Sequence, residues 1–241
     1  MGRPKQLMEL GGKPVVAWSL QVLASCELID EMVIACERDD QPSFTRLAAT
    51  FGGGKVGRIV LGGERRQDSV FAALREVSEH IDIVVVHDGA RPFVTHSVVA
   101  AVIRASVDCG AAISAVPVTD TIKQSNDAGA VLKTIPRERL WAAQTPQAFS
   151  RRRLYEAHEQ AEADGYVGTD DAELVERLGS VPIAIVAGSY ENLKITTPED
   201  LIHAERVLAR RALERPSDGG LSASAAARQD RRAGRLRQER S

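Results

Sequence analysis

The sequence predicts an α/β protein built around a mostly parallel sheet, and two observations carry this prediction. Short apolar runs, such as those at 84–86 and 111–116, alternate with segments whose apolar residues have helical spacing. The run at 84–86 also lacks polar alternation, which is typical of a strand that is covered on both faces, as in parallel sheets.

The strand predicted at 84–86 ends abruptly in His87-Asp88-Gly89-Ala90-Arg91-Pro92. In parallel α/β sheets, ligands bind just beyond the carboxyl ends of the strands. Asp88 is therefore a candidate for holding a metal ion, a ribose hydroxyl or a phosphate, with Arg91 close enough to balance an anion. The alternative is structural, because Asp and Arg are also ordinary loop residues: Asp88 caps the following segment and pairs with Arg91 on the surface.

The composition is typical of one globular domain with an appended tail. Of the 241 residues, 44% are hydrophobic and 27% are charged, and the formal net charge of −2 argues against a protein that coats nucleic acid. No apolar run is long enough to span a bilayer, and the N-terminus lacks the apolar segment of a signal peptide. The cysteines at positions 26, 36 and 109 show no metal-ligand spacing. We expect reduced thiols and a cytoplasmic location.

Helices and strands alternate through the first half of the chain, after a polar, turn-rich start. A parallel α/β domain is expected to begin with a strand, but the sequence predicts none ahead of the first helix. The expected elements are a helix at 15–23, a strand at 31–36, a helix at 42–51, a strand at 58–61 and a helix through Val70 and Val77.

The loop before the last of these helices is a candidate phosphate or ribose site. Its sequence is Gly62-Gly63-Glu64-Arg65-Arg66-Gln67-Asp68-Ser69. Glycines and a serine at a helix start offer free backbone N–H groups and the positive end of the helix dipole. The pattern is too loose to be a P-loop.

A hairpin interrupts the alternation in the second half of the chain. After a helix at 97–107 and a strand at 111–116, two short strand-like runs flank a Ser-Asn-Asp-Ala-Gly turn between residues 120 and 135. An isolated two-stranded hairpin is marginally stable in water, so we expect this arm, at about 117–137, to pack against a second subunit or against its own domain.

The remaining chain returns to helices and strands and then loses its apolar residues. Thr145-Pro146 is too turn-like for a helix interior. Helices are expected at 151–163, through Leu174 and Leu178 behind the N-capping Gly-Thr-Asp-Asp run at 168–171, and from 198 to about 213, with a strand at 183–186. The segment from residue 214 is rich in Ala, Ser, Gly and Arg, so we expect residues 1–213 to form the folded domain and residues 214–241 a disordered tail.

Lys194 is predicted to lie in a short strand ahead of the last helix. Such a lysine is either a cation of the functional site or a residue that keeps an edge strand from pairing with other chains.

Seven short motifs resemble those of the 2-C-methyl-D-erythritol 4-phosphate cytidylyltransferases and occur in the same order. Together they are far more specific than any one of them, and the resemblance covers nearly everything from Met1 to Leu213. The motifs are Arg-Pro-Lys-Gln at 3–6, Gly-Gly-Glu-Arg-Arg-Gln-Asp-Ser-Val at 62–70, His-Asp-Gly-Ala-Arg-Pro at 87–92, Thr-Asp-Thr-Ile-Lys at 119–123, Gln-Thr-Pro-Gln at 144–147, Thr-Asp-Asp-Ala at 169–172 and Asn-Leu-Lys-Ile-Thr at 192–196.

This resemblance implies a Rossmann-like α/β fold of the nucleotide-diphospho-sugar transferase type, with a mostly parallel sheet and a protruding β-hairpin dimerisation arm. It also implies transfer of CMP from CTP to 2-C-methyl-D-erythritol 4-phosphate in non-mevalonate isoprenoid synthesis, with Mg²⁺ or another divalent cation and a homodimer. Phosphoryl transfer depends mainly on positioning and charge neutralisation. That agrees with a strand-end cleft that offers cations and acids.

The resemblance also assigns roles to individual residues. The implied catalytic residues are Lys5, Arg137 and Lys194. Lys5 matches a lysine that stabilises charge on the nucleotide phosphates, and Arg137, Thr145 and Lys194 match residues that hold the methylerythritol phosphate for in-line attack. Arg137 and Thr121 are implied to reach the site from the partner subunit. The implied substrate-binding residues are Asp88, Arg91, Thr121, Thr145 and Thr169, the nucleotide-binding residues are Lys5, Gly63, Ser69 and Asp88, and the metal ligand is Asp88, with the metal held largely by the CTP phosphates.

The chain departs from the family pattern at its N-terminus. Family members begin with an apolar strand and an Ala-Ala-Gly-x-Gly-x-Arg-Met loop around the triphosphate, and this chain starts at the Met of that motif. It is therefore truncated relative to the pattern. We expect the reading frame to continue upstream and to encode a strand of about five or six residues followed by that loop.

The sequence is also compatible with two other functions. One is a cytidylyltransferase for another polyol phosphate, such as ribitol 5-phosphate, which shares most of these motifs. The other is a non-catalytic nucleotide-binding dimer, because the glycine-rich loop of the family pattern is missing.

Overall fold

The computed structural model describes residues 4–179 and 182–214, and within them the predicted alternation of helices and strands is confirmed. The helices are α1 (Val15–Ala24), α2 (Gln41–Phe51), α3 (Arg66–Leu74), α4 (His96–Cys109), α5 (Arg151–Asp164), α6 (Asp171–Leu178) and α7 (Pro198–Glu214). The strands are β1 (Glu9–Leu10), β2 (Lys13–Pro14), β3 (Met32–Cys36), β4 (Val56–Leu61), β5 (Ile83–Val86), β6 (Ala111–Pro117), β7 (Ile122–Ser125), β8 (Val131–Ile135), β9 (Trp141–Ser150) and β10 (Ala184–Ala187).

The described residues up to position 204 group into one compact unit, and the described residues from position 205 onward group separately. The tail predicted from residue 214 lies outside the described residues, apart from Glu214 at the end of α7. No helix in the described part of the chain is long and apolar enough to cross a membrane.

Four strands form the central sheet in the order β10-β6-β9-β5. β10 and β6 are parallel, whereas β9 is antiparallel to both β6 and β5. Three of the four strands therefore point the same way, which confirms the prediction of a mostly parallel α/β sheet.

The strand β9 covers the segment around Thr145-Pro146, where the sequence indicated a turn. Its pairing with β6 shifts register between Ile113 and Ala115, opposite this dipeptide. Proline has no N–H group to donate to a neighbouring strand, so a strand that contains one is interrupted at that point. The turn-like signal therefore marked an irregularity inside a strand.

A second sheet consists of the parallel pair β3 and β4. Among the described residues, β3 pairs with no other strand and β5 pairs only with β9. Residues of both β3 and β5 line a cavity of about 510 Å³, together with apolar side chains of α1 and α3 such as Val16 and Leu74.

The main apolar core holds three helices against the central sheet. Phe71 of α3, Leu154 of α5 and Leu174 of α6 pack in one cluster with Phe149 of β9, and all four are buried. Burying each such side chain stabilises the fold by about 1.5–3 kcal/mol. The core thereby fixes the N-terminal ends of α3 and α6, which carry charged residues of the site described below.

The predicted hairpin is formed by β7 and β8, which pair antiparallel with Ile122 opposite Ile135. Its second strand is open to solvent, because Val131 is 63% and Leu132 is 61% exposed.

The strand predicted at Lys194 is absent, because this residue lies in an irregular segment between β10 and α7. The alternation Leu193-Lys194-Ile195 is typical of a strand. The segment instead packs on the loop after β5, where Ile195 N donates to Ala90 O at 2.9 Å.

Candidate active site

Asp88 lies two residues beyond the end of β5, and three cationic side chains surround its carboxylate. Arg66 Nε donates to Asp88 Oδ1 at 2.9 Å, while Lys194 Nζ and Arg91 Nε lie 3.1 Å and 3.4 Å from Asp88 Oδ2. We call these four residues the Asp88 cluster. Three cations and one carboxylate give it a net charge of +2, and the Asp171 carboxylate that also pairs with Arg66 reduces the local charge to +1, so the cluster favours an anion.

The charges of the Asp88 cluster stabilise one another. Burial alone would raise the pKa of the Asp88 carboxyl group, but the charges of Arg66 and Lys194 outweigh it and lower that pKa to about 2. Burial also lowers the pKa of Arg91, and Asp88 only partly offsets this. Asp88 is therefore ionised at neutral pH and can hold the three cations in place.

Thr145 and His87 fix the backbone beneath Asp88. Asp88 N donates to Thr145 Oγ1 at 3.0 Å, and Thr145 Oγ1 lies 3.1 Å from His87 Nδ1. His87 Nε2 lies 3.2 Å from Arg91 O. Burial lowers the pKa of His87 to about 4, so the ring is neutral at pH 7. A neutral ring with its hydrogen on Nε2 satisfies this chain, since the Thr145 hydroxyl then donates to Nδ1.

Hydrogen bonds hold the loop that carries Lys194 against the loop after β5 and against β9. Asn192 Nδ2 donates to Thr145 O at 2.9 Å, and Arg91 Nη1 donates to Asn192 O at 2.8 Å. Asn192 is buried. These bonds, with that from Ile195 to Ala90, explain how a residue far along the chain reaches Asp88.

Gly63 and Ser69 lie together at the start of α3. Gly63 N donates to Ser69 Oγ at 3.1 Å, and both residues line the cavity that Asp88 also lines. A Cβ atom at Gly63 would lie 2.4 Å from the Cβ of Asp68, so only glycine fits this position. The positive end of the α3 dipole makes this corner suitable for polar or anionic groups.

Four of the residues assigned from the sequence lie apart from the Asp88 cluster. Lys5 is exposed in a short 3₁₀ turn, and Thr121 is exposed beside the arm. Arg137 donates to Thr119 O at the base of the arm. Thr169 Oγ1 donates to Glu173 Oε2 at 2.8 Å, ahead of α6. Within the described ranges, none of the four hydrogen-bonds or ion-pairs with Asp88.

Arg66 is the cluster residue that the sequence analysis did not single out. It stands next to Arg65 in the Gly-Gly-Glu-Arg-Arg motif, and the two arginines differ completely in their partners. Arg65 pairs with Asp68 at 2.6 Å in its own helix turn, whereas Arg66 reaches Asp88 and the buried Asp171. Which carboxylate each of the two adjacent arginines pairs with depends on the tertiary structure. The motif alone could only indicate that one of the two lies near the site.

Comparison with known proteins identifies the family. The family model described as 2-C-methyl-D-erythritol 4-phosphate cytidylyltransferase matches residues 1–210. The chain belongs to this family. Its members are nucleotidyltransferases, which confirms the predicted enzyme class.

Individual family members match over most of their length. A 2-C-methyl-D-erythritol 4-phosphate cytidylyltransferase from Halalkalibacterium halodurans is 45% identical over 210 residues, which cover 87% of this chain and 91% of that protein. One from Syntrophus aciditrophicus is 47% identical, with 86% and 88% covered.

Solved structures of the family show the same fold. The 4-diphosphocytidyl-2C-methyl-D-erythritol synthase of Anaerococcus prevotii superposes with a TM-score of 0.79 at 32% identity, covering 84% of this chain and 88% of that one. The cytidylyltransferase of Thermus thermophilus gives a TM-score of 0.72 at 36% identity, with 86% and 94% covered.

Proposed function

We propose that this chain transfers CMP from CTP to 2-C-methyl-D-erythritol 4-phosphate, releasing diphosphate and 4-diphosphocytidyl-2-C-methyl-D-erythritol for non-mevalonate isoprenoid synthesis. The observation that carries the proposal is the pairing of Arg91 and Lys194 on one oxygen of Asp88, beside the cavity corner formed by Gly63 and Ser69. Relatives named for this substrate support it over ribitol 5-phosphate and over a non-catalytic dimer.

The reaction joins two anions, and this sets the task of the protein. A phosphate oxygen of methylerythritol phosphate attacks the α-phosphorus of CTP, a new P–O bond forms, and the bond to the β-phosphate breaks as diphosphate leaves. No base is needed, because the attacking phosphate is already ionised. The barrier lies in bringing the two anions together in line, which cations lower by positioning and neutralisation.

The cations divide between the two substrates in this proposal. Lys194 and Arg91 hold the phosphate of methylerythritol phosphate, and Lys5 neutralises the phosphates of CTP. Thr145 keeps Asp88 in place by accepting a hydrogen bond from its backbone N–H group. Thr169 binds the polyol part of methylerythritol phosphate. Gly63, Ser69 and Asp88 form the cytidine side.

Arg137 and Thr121 act across a dimer in this proposal. Both lie at the base of the exposed arm and make no bond to the Asp88 cluster of their own chain in the described ranges. The exposed apolar residues Val131 and Leu132 need cover that a second copy would supply. A homodimer clasped through the arm would bring Arg137 and Thr121 to the partner's site.

A divalent cation such as Mg²⁺ would enter the site bound to the phosphates of CTP. Among the described residues, no group of three or more His, Cys, Asp or Glu side chains could hold a metal ion. Both oxygens of Asp88 already accept from cations. The described side chains therefore do not fit a resident metal, and Asp88 would offer at most one oxygen to an ion held by the CTP phosphates.

A cytoplasmic location belongs to the same proposal. Cys26, Cys36 and Cys109 are all free thiols, which is the usual state of cysteines in a reducing compartment.

A radiolabelled transfer assay tests the function. The purified chain is incubated with Mg²⁺ and [α-³²P]CTP, and with methylerythritol phosphate, ribitol 5-phosphate or no acceptor. We expect label in 4-diphosphocytidyl-2-C-methyl-D-erythritol, with one diphosphate released per label, and little with the other two mixtures. Absence of labelled product, or faster transfer to ribitol 5-phosphate, would contradict the proposal.

A further inference from the structure

Arg66 links the Asp88 cluster to a second carboxylate behind it. Its Nε donates to Asp88 Oδ1 at 2.9 Å and its Nη1 donates to Asp171 Oδ2 at 2.7 Å. The Arg66 side chain is 32% exposed and that of Asp171 is 1% exposed. The guanidinium group of Arg66 therefore connects the Asp88 cluster with a buried carboxylate in the protein interior.

Asp171 is held in turn by His158. Its second oxygen, Oδ1, lies 3.2 Å from His158 Nε2, and the His158 side chain is also 1% exposed. The His158 ring stacks on Phe71 with ring centroids 5.2 Å apart, and Phe71 belongs to the same helix as Arg66. The three helices α3, α5 and α6 thus meet at this pair.

The unpaired nitrogen of His158 indicates which tautomer is present. Nδ1 is buried and has no hydrogen-bond partner among the described residues. An unpaired N–H donor in the interior costs more than an unused lone pair. The ring therefore carries its hydrogen on Nε2 and donates it to Asp171, which remains the negatively charged partner of Arg66.

The geometry makes Asp171 the firmer of the two anchors of Arg66. A carboxylate this deeply buried needs a counter-ion, and Arg66 is the cation that reaches it. The guanidinium is planar and rigid, so fixing Nη1 at Asp171 also fixes the direction of Nε toward Asp88. Arg66 occupies Oδ1 of Asp88 and leaves Oδ2 to Arg91 and Lys194.

We propose that Arg66 is a positioning residue of the site and that Asp171 and His158 hold it from the interior. In this account Asp171, which does not contact the cavity, controls turnover by setting the Asp88 carboxylate and, through it, the two cations that take the substrate phosphate. The inference rests on the proposed function. The alternative is that Asp171 and His158 only join the helices.

A double-mutant cycle separates the two accounts. Arg66→Lys keeps the charge, but an ammonium cannot span both carboxylates in one rigid fork. Asp171→Asn keeps the shape and removes the anchor. Each single variant is expected to lower kcat by about 10- to 100-fold, with a smaller change in the KM for CTP. Arg66→Lys/Asp171→Asn should lose no more than the worse single variant, whereas multiplied losses would overturn the proposal.

Two control variants change other residues of α6, the helix that begins with Asp171. Val175→Ala removes a buried side chain of α6 and lowers stability without touching Arg66, and Glu176→Gln removes an exposed carboxylate of α6. Both should keep wild-type kcat per folded molecule. If Val175→Ala lowers kcat as much as Asp171→Asn at equal loss of Tm, the effect is structural and the proposal fails. His158→Phe keeps the stack on Phe71 and is expected to lower kcat less than Asp171→Asn does. It provides a second test if Asp171→Asn folds poorly.

A measurement that needs no turnover keeps this inference separate from the proposed function. In ¹⁵N NMR spectra, the Arg66 Nε–H group is expected to exchange slowly with water in the wild type, because it is hydrogen-bonded to Asp88, and to exchange rapidly in Asp171→Asn. An unchanged slow signal in Asp171→Asn would overturn the positioning role. Absence of CMP transfer by the wild type, with the expected NMR change, would overturn the function alone.

Discussion

Lys194 Nζ lies 3.1 Å from Asp88 Oδ2, although the two residues belong to loops that follow different strands. Arg91 Nε approaches the same oxygen at 3.4 Å. One carboxylate oxygen thus holds an ammonium and a guanidinium side by side. Charge-assisted hydrogen bonds from two such groups are what a phosphate dianion requires, so this contact is the centre of the proposed mechanism.

Replacing Lys194 by Ala is expected to lower kcat by about 100- to 1,000-fold, because a cation that holds the attacking phosphate in line with the α-phosphorus stabilises the transition state, in which the two anions meet. The fold should persist, since the Lys194 side chain is 40% exposed. Steady-state kinetics and a melting curve measure both effects. Arg104→Ala removes one exposed cation from α4 and serves as the matched control. Wild-type kcat in folded Lys194→Ala would remove Lys194 from the mechanism.

Local patterns were sufficient to predict most of the fold. The apolar run before Asp88, the helical spacing at 15–23 and the turn in the arm each correspond to an observed element. Asp88 and Arg91 were predicted to lie together because a turn follows a buried strand and only two residues lie between them. In such cases the physics that decides the structure acts within a few residues.

The remaining features depend on contacts between distant segments. Lys194 was placed in a strand because its neighbours alternate, but a pair of loops holds it instead. Arg66 could not be chosen over Arg65 without knowing that Asp171 is buried behind it. Arg137 and Thr121 lie at the base of the arm, and their proposed role depends on a second copy of the chain. The proposed roles of the site residues therefore stay predictions.

Gly63→Ala is expected to raise the KM for CTP by about tenfold or more, because the new Cβ would lie 2.4 Å from the Cβ of Asp68 and must displace the start of α3. Initial rates at varied CTP measure the change. Gly57→Ala is the control, since nothing lies within 4 Å of a Cβ at that position. An unchanged KM for CTP in Gly63→Ala would show that this corner does not bind the nucleotide.

Val131→Asp is expected to weaken the proposed dimer and lower activity together, because it places a charge on the apolar surface of the arm. Val107→Asp on α4 is the matched control, since Val107 is 64% exposed and Val131 is 63% exposed. Sedimentation velocity over a range of concentrations gives the dimer affinity. If Val131→Asp keeps the dimer affinity and the activity of the wild type, the arm has no role in dimerisation or in catalysis.

His87 is expected to make stability depend on pH. Its folded pKa of about 4 lies below the ordinary histidine value, so the unfolded chain binds the proton more tightly. The stabilisation is present above about pH 6.5 and is lost as the pH falls toward 4, by at most about 3 kcal/mol.

Urea unfolding of the wild type and of His87→Gln isolates this effect. The difference in their free energies of unfolding should change between pH 6.5 and 4.5, whereas exposed His80→Gln should follow the wild type throughout. Parallel curves for the wild type and His87→Gln would show that His87 is not held neutral by the fold.

The stereochemistry at the α-phosphorus tests the central claim most directly. In the proposed reaction the substrate phosphate attacks in line, and no group of the protein forms a bond to the α-phosphorus. Thr145, whose hydroxyl lies 3.1 Å from His87 Nδ1, is 3% exposed, and its hydroxyl already accepts a hydrogen bond from Asp88 N. With one diastereomer of CTPαS and methylerythritol phosphate, ³¹P NMR of the product should show inversion. Retention, which indicates a CMP–enzyme intermediate, or the absence of a product would contradict the account.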